Sequence, residues 1–291
     1  MDALTEYLDK VTAHKQRLFG LYASAGAVLG RKETPRGGGT TWGYRLISCP
    51  GYDAGGKLTG TSIGDDEIRI FHDICRLVQP RRSLIIGNGF GLSAFALALA
   101  WPAGEVTAMD NWSEGEAGIA GRDLSLRIRR EAGLEGRVTI FTGTSPQDTP
   151  AALAAWVNRG GEDLDLAFID GLHEEAAAAA DFAGLRPYLR SRSIILWHNV
   201  HATSQAFEDA SAGWHAHAVL RSYGPLGITY QPEEHPRLHE YLQVSNLVWN
   251  DWRRYLRALL KSNTAAPVEN PSLAVRIRRR IRSVVHRLRK L

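Results

Sequence analysis

The sequence predicts an α/β protein, a three-layer sandwich whose central sheet has seven strands, mostly parallel, and ends in an antiparallel hairpin. Three observations carry this prediction. Short apolar or β-branched runs alternate with segments of helical periodicity through residues 83–198. The first of these runs opens into a glycine-rich turn, Gly87-Asn88-Gly89-Phe90-Gly91, followed by an apolar, alanine-rich segment. The last two strand-like runs flank Gly224-Pro225, a turn pair that suits an antiparallel connection.

The elements follow in order. In residues 3–22, Leu4, Leu8, Val11, Leu18 and Tyr22 recur near helical spacing and predict an opening amphipathic helix. Arg31 to Gly43, with Pro35 and three successive glycines from Gly37, reads as a flexible loop, taken as a linker ahead of a lid. A helix over 65–78 places Ile68, Phe71, Ile74 and Cys75 on one face and stops before Pro80. Strands are predicted at 83–87, 105–109, 137–141, 165–169 and 193–198, with helices at 92–100, 117–132, 149–158 and 174–189. Such βα repeats give a parallel sheet covered on both faces. The closing hairpin is placed at 214–221 and 226–231, on the sheet's edge, and dinucleotide dehydrogenases usually repeat a parallel half there instead. Beyond it the pattern predicts a long helix over 237–260, a Pro-containing linker over 262–271 and a basic amphipathic helix over 272–291. The chain thus divides into an N-terminal helix and Gly-rich loop (1–60), a central domain (61–261), and a linker with a basic helix (262–291).

Composition excludes wholesale disorder, because 44% of the residues are hydrophobic and 23% charged. The longest weakly polar run, Leu18 to Leu29, is too short to span a bilayer, and Asp2, Glu6 and Asp9 argue against a signal peptide, so a cytoplasmic protein is expected. Cys49 and Cys75 form neither a disulfide framework nor a zinc pattern. The net charge of +4 hides an asymmetry: residues 272–291 carry eight Lys or Arg and no acid, leaving the rest at −4. With Leu273, Ile277, Ile281 and Leu288 on one face, this tail is expected to attach peripherally to an anionic membrane surface. Docking to a second subunit in a homo-oligomer is its alternative, and nucleic acid is ranked below both.

In open α/β sheets ligands sit at the carboxyl ends of strands. The first strand there ends in the glycine turn, where backbone can approach a ligand and a helix amino terminus follows. The second ends in Met109-Asp110-Asn111, where a carboxylate can accept from ribose hydroxyls, although Asp110 could instead cap a loop. The third runs into Gly143-Thr144-Ser145, fit to rim an adenine, with Ser145 as a helix cap an equal contender. The fourth ends in Asp170-Gly171-Leu172-His173 and the fifth in His198-Asn199-Val200. Asp170, His173, His198 and Asn199 can hold a divalent ion, and a free imidazole can take a proton near neutral pH. A polar plug that satisfies loop backbone is the structural alternative. Trp112 and Trp197, beside the same edge, offer rings on which a sugar could stack or which could simply pack.

On these residues the chain from about Thr61 to Gln231 resembles the class I S-adenosylmethionine-dependent methyltransferases, in particular metal-assisted O-methyltransferases of the catechol and macrocin sugar kind. The resemblance implies a Rossmann-like fold and S-adenosylmethionine as cofactor, with a divalent metal beside it. Gly87, Gly91 and Ser93 match the first motif, and Asp110 falls on the ribose carboxylate. The cofactor set it implies is Gly87, Asn88, Gly89, Gly91, Ser93, Asp110, Asn111, Thr144, Ser145 and Asp170. The metal set is Asp170, His198 and Asn199, and the catalytic pair is His173 and His198, with His173 as base. Ile85 stands where the family has an acid, and His198-Asn199 where it has a carboxylate-rich pair. The expected function is O-methylation of a hydroxyl on a sugar, glycan or small secondary metabolite. The alternatives are a catalytically degenerate binding or scaffold protein and an NAD-dependent oxidoreductase.

Overall fold

The computed structural model describes residues 3–36, 39–52, 61–158, 163–200, 202–219 and 226–243. Val11–Glu234 forms one compact unit, and a second unit takes in Met1–Lys10 and begins again at His235. Among the described residues no helix is long and apolar enough to cross a membrane.

After α1 (Ala3–Ser24) come β1 (Val28–Arg36), β2 (Gly39–Ser48) and β3 (Thr61–Gly64), an antiparallel three-stranded sheet in the order β1-β2-β3. This corrects the expected linker over Arg31 to Gly43, since β1 and β2 pair continuously from Leu29↔Leu46 to Arg36↔Gly39. Pro35 does not prevent it, because β1 is an edge strand and needs no ladder N–H there.

The second sheet contains β4 (Arg82–Ile86), β5 (Glu105–Asp110), β6 (Val138–Thr142), β7 (Leu166–Ile169), β8 (Ile194–Trp197), β9 (His215–Val219) and β10 (Leu226–Tyr230). Its seven strands run in the order β6-β5-β4-β7-β8-β10-β9, parallel except that β10 pairs antiparallel with both β8 and β9. The seven-stranded sheet and its closing hairpin are therefore as expected. The intervening helices are α2 (Asp65–Val78), α3 (Leu92–Ala100), α4 (Glu116–Glu131), α5 (Thr149–Val157), α6 (Glu175–Leu185) and α7 (Ser204–Ala210).

Alternation along the strands explains why helices cover both faces. Leu84, Ile86, Ala167, Ile169, Ile195 and Trp197 join one core cluster with Leu153 and Trp156 of α5, Ala178 of α6 and Phe207 of α7. Phe168 points the other way and meets Phe71 of α2 edge-on, with ring centroids 5.0 Å apart. A strand buried on both faces must be apolar throughout, which is why these strands read as continuous apolar runs rather than alternating ones.

The chain leaves β4 toward β5 and β6, then crosses back to β7 on β4's other side. That reversal is a topological switch point, where the two loops diverge and leave a crevice at the carboxyl ends. The helix from residue 236 is described only as far as 243, so the rest of the predicted 237–260 helix, the 262–271 linker and the basic helix lie outside the described residues.

Candidate active site

Register aligns the strand ends. Ile86 pairs with Met109 on one side and Ile169 on the other, and Ile169 pairs with Trp197. The next residue of each strand, Gly87, Asp110, Asp170 and His198, therefore lies on one edge of the sheet.

Gly87 has φ +89°, and a Cβ there would overlap the carbonyl oxygen of Asp170. Only glycine lets the first turn lie against the Asp170 loop, which the Asp170 N–H fastens by donating to the Ile86 carbonyl at 2.8 Å. Gly89, at φ +51°, faces open space, with nothing within 4 Å of where its Cβ would stand. Beyond it α3 begins after Gly91 with no side-chain cap on its amino terminus. An open glycine backbone ahead of uncapped N–H groups suits an anionic or nucleoside-bearing ligand.

Asp110 holds this turn in shape. Its Oδ2 accepts the N–H groups of Asn88 and Gly89 at 2.8 and 2.9 Å, and its Oδ1 accepts that of Trp112 at 2.8 Å. The loop-capping role weighed in the sequence is thus present, and a carboxylate has roughly four acceptor positions, so capacity remains for a ribose hydroxyl. Two predicted cofactor residues turn their side chains inward: Asn88, which donates to Ser125 Oγ at 3.1 Å, and Ser93, which is buried. Asn111 accepts the Ser113 N–H in its own turn. The Thr144 N–H donates to Asp148 Oδ2 at 2.8 Å, and Ser145 Oγ lies 3.4 Å from Thr149 Oγ1. Trp112 and Trp197 are buried packing residues, with Nε1 donating to Thr142 and Thr229 respectively, so sugar stacking on either is withdrawn.

At the ends of β7 and β8 four side chains converge. Asp170 Oδ1 lies 2.5 Å from His198 Nδ1 and 3.1 Å from His173 Nε2. The two ring nitrogens are 3.4 Å apart, and the Asn199 amide lies 3.2 Å from His198 Nδ1. Asn199 holds φ +53°, a conformation asparagine tolerates better than most residues, and this turns its amide toward the cluster. The two imidazoles differ in setting. His198 is 6% exposed, whereas the His173 side chain is 42% exposed at the rim.

Sequence reading missed a fifth member, Glu67 of α2, which is wholly buried. Its Oε1 lies 3.1 Å from His198 Nε2, off the line of the N–H bond, so the contact is an ion pair rather than a straight hydrogen bond. The available signal was the spacing Gly64-x-x-Glu67, which reads as an ordinary helix start. Burial opposes a charge on His198, yet Asp170 and Glu67 on its two sides outweigh it and hold the imidazole well above its ordinary value. Burial likewise pushes Asp170 up, but His198 and His173 prevail and keep the carboxyl below its usual range. Without an ion, His198 is an imidazolium between two carboxylates.

Oxygen and nitrogen donors from Asp170, His173 and His198 lie within 4.8 Å of one another. The Asn199 amide, rotated about its last side-chain bond, presents its oxygen to the cluster. One carboxylate, imidazole nitrogens and an amide oxygen fit a borderline divalent ion such as Zn²⁺ better than Mg²⁺, which asks for hard oxygen ligands.

With the glycine turn, the switch-point crevice and this cluster in place, the chain can be compared with known proteins. A family model described as a methyltransferase domain matches residues 84–200, from β4 through the end of the cluster. The matched residues make up less than half of the chain. A caffeoyl-CoA O-methyltransferase of Populus kitakamiensis is 26% identical over 155 residues, 50% of this chain and 60% of that protein. An uncharacterized protein, y4gI of Sinorhizobium fredii, is 27% identical over 160 residues, 53% of this chain but 16% of that protein. The chain therefore spans less than two thirds of either relative. Among solved structures, an O-methyltransferase from Bacillus cereus aligns with TM-score 0.49 and 19% identity, over 61% of this chain and 86% of that one. The matched segment takes in Gly87, Asp110, Asp170, His173, His198 and Asn199, and Glu67 lies ahead of it.

Proposed function

We propose that the protein is an S-adenosylmethionine-dependent O-methyltransferase acting on a hydroxyl of a small molecule. The observation that carries this is the register, which sets an imidazole-carboxylate cluster beside a glycine turn suited to a nucleoside. The domain match and the relative named as an O-methyltransferase support it.

The methyl group passes from the donor's sulfonium to the acceptor oxygen, leaving a neutral thioether, while the acceptor's proton goes to a base. Gly87 to Gly91 and Asp110 would hold the donor, and the Asp170 loop, tied to Ile86 by the Asp170 N–H, would set where the acceptor meets it. Asp170, His198 and Asn199 would hold a divalent ion, whose positive charge would acidify the acceptor hydroxyl. His173 takes the proton, because its ring is exposed to an incoming hydroxyl while Asp170 orients it through Nε2. His198 is too enclosed for that task. Leu172, 63% exposed between Asp170 and His173, gives the acceptor's body an apolar contact. With the tryptophan argument withdrawn, nothing favours a sugar over another hydroxyl compound.

Replacing His173 with Ala should lower turnover by roughly 100- to 10,000-fold while leaving product affinity within about twofold. Conversion of donor to S-adenosylhomocysteine against a panel of catechol and sugar acceptors measures the first, and calorimetry the second. Undiminished turnover would remove His173 from its role as base.

A further inference from the structure

We propose that Glu67 is a positioning residue that fixes the orientation of His198, so that Nδ1 faces Asp170 and Asn199 and is available to a divalent ion. The inference rests on reading the cluster as an ion site, and it assigns a role to a residue ahead of the segment that matches the family model.

Glu67 is wholly buried, a costly place for a carboxylate unless both oxygens are engaged. One engagement is local: Oε2 accepts the Gly64 N–H at 2.5 Å and closes the first turn of α2. That bond explains why the chain can hold Glu67 in one rotamer, but it uses only one oxygen. The other, Oε1, is 3.1 Å from His198 Nε2, in a different layer of the fold. Four residues along the helix, Phe71 packs on Phe168, and Phe168 meets the His198 ring edge-on at 5.9 Å. The imidazole is therefore wedged by Phe168 with Glu67 on one nitrogen and Asp170 on the other.

Imidazole has two nitrogens, and one can serve an ion only if the other carries the proton. A carboxylate behind Nε2 keeps the proton there and leaves the Nδ1 lone pair toward the cluster, while making the ring a stronger donor. Losing such a partner typically costs roughly 10- to 100-fold in metal affinity. A capping role alone would cost helix stability and leave ion affinity unchanged.

The test uses Glu67→Gln in the full chain, since Gln can still accept the Gly64 N–H but cannot pair with His198 as a carboxylate does. Zn²⁺ affinity is measured by competition with a chromophoric chelator, and folding by circular dichroism and a cooperative denaturation curve. The expected result is Zn²⁺ binding weakened roughly 10- to 100-fold in a folded variant. Equal Zn²⁺ affinity in wild type and Glu67→Gln would overturn the positioning role and leave the ion site standing. A wild-type protein that takes up no Zn²⁺ would overturn the ion site and the inference together. If Glu67→Gln does not fold, Glu67→Asp, which keeps the charge but withdraws it by one methylene, is read in the same way. An affinity equal to wild type in the folded Asp variant counts against the proposal.

Discussion

His14 shows what burial does to a titratable side chain that serves no site. It is 1% exposed on α1, and neither ring nitrogen has a hydrogen-bond partner among the described residues. Burial, then the neighbouring His72 and Arg17, push it down to about 4. The folded state therefore binds fewer protons at His14 than the unfolded state between pH 6.5 and 4. The sign follows: stability is undiminished above the ordinary histidine value and falls as pH drops toward 4. His14→Leu removes both the unsatisfied nitrogens and this linkage. Its denaturation free energy should match or exceed wild type at pH 7 and exceed it further at pH 5, and a difference that does not grow on acidification would refute the assignment. His198 makes the contrast, since it is as enclosed but has a carboxylate on each side, and its shift runs upward. Neither outcome was legible in the sequence, because a histidine's neighbours across helices and strands are set by packing rather than spacing. Asp170, His173, His198 and Asn199 were legible because strand-end position alone brings them to one edge. Glu67 was not, since in an Asp65-Asp66-Glu67 run it resembles the acids any helix start attracts.

The glycine turn between β4 and α3 is the element on which the site depends. Gly87 takes a left-handed conformation and presses against the carbonyl of Asp170, so it links the glycine turn to the loop that carries the cluster. Gly87→Ala meets both a strained φ and a backbone clash, which should cost about 3 kcal/mol or more of stability. Guanidinium denaturation measures it, and a loss under 1 kcal/mol would show that the two loops are not in the close contact described. Gly89→Ala would meet strain without the clash, so the larger loss belongs to Gly87. At this scale the sequence was informative wherever strands were apolar throughout, as at β4, β7 and β8. It misled at β1 and β2, where Pro35 and the glycines from Gly37 suggested a linker, although Thr40, Trp42, Tyr44 and Leu46 alternate as a strand does. An edge position excuses the proline, and edge position is a tertiary property.

Over the whole molecule, one sheet order brings the glycine turn and the imidazole-carboxylate cluster to the same edge. The switch between β4 and β7 opens the crevice, and the β10-β9 hairpin closes the sheet beyond the cluster. Ile85 is wholly buried in β4, so on the proposed function the donor's amino-acid end would find its partners elsewhere. This makes Asp110 and the turn's backbone the main anchors. The measurement that tests the central claim most directly is a calorimetric titration of the full chain with S-adenosylhomocysteine, alongside Asp110→Ala. One binding site per chain is predicted, with affinity weakened at least about tenfold in Asp110→Ala, because the carboxylate both shapes the turn and receives the ribose. No heat of binding with the folded wild-type protein, at any concentration up to the millimolar range, would contradict the assignment of this crevice as a methyl-donor site.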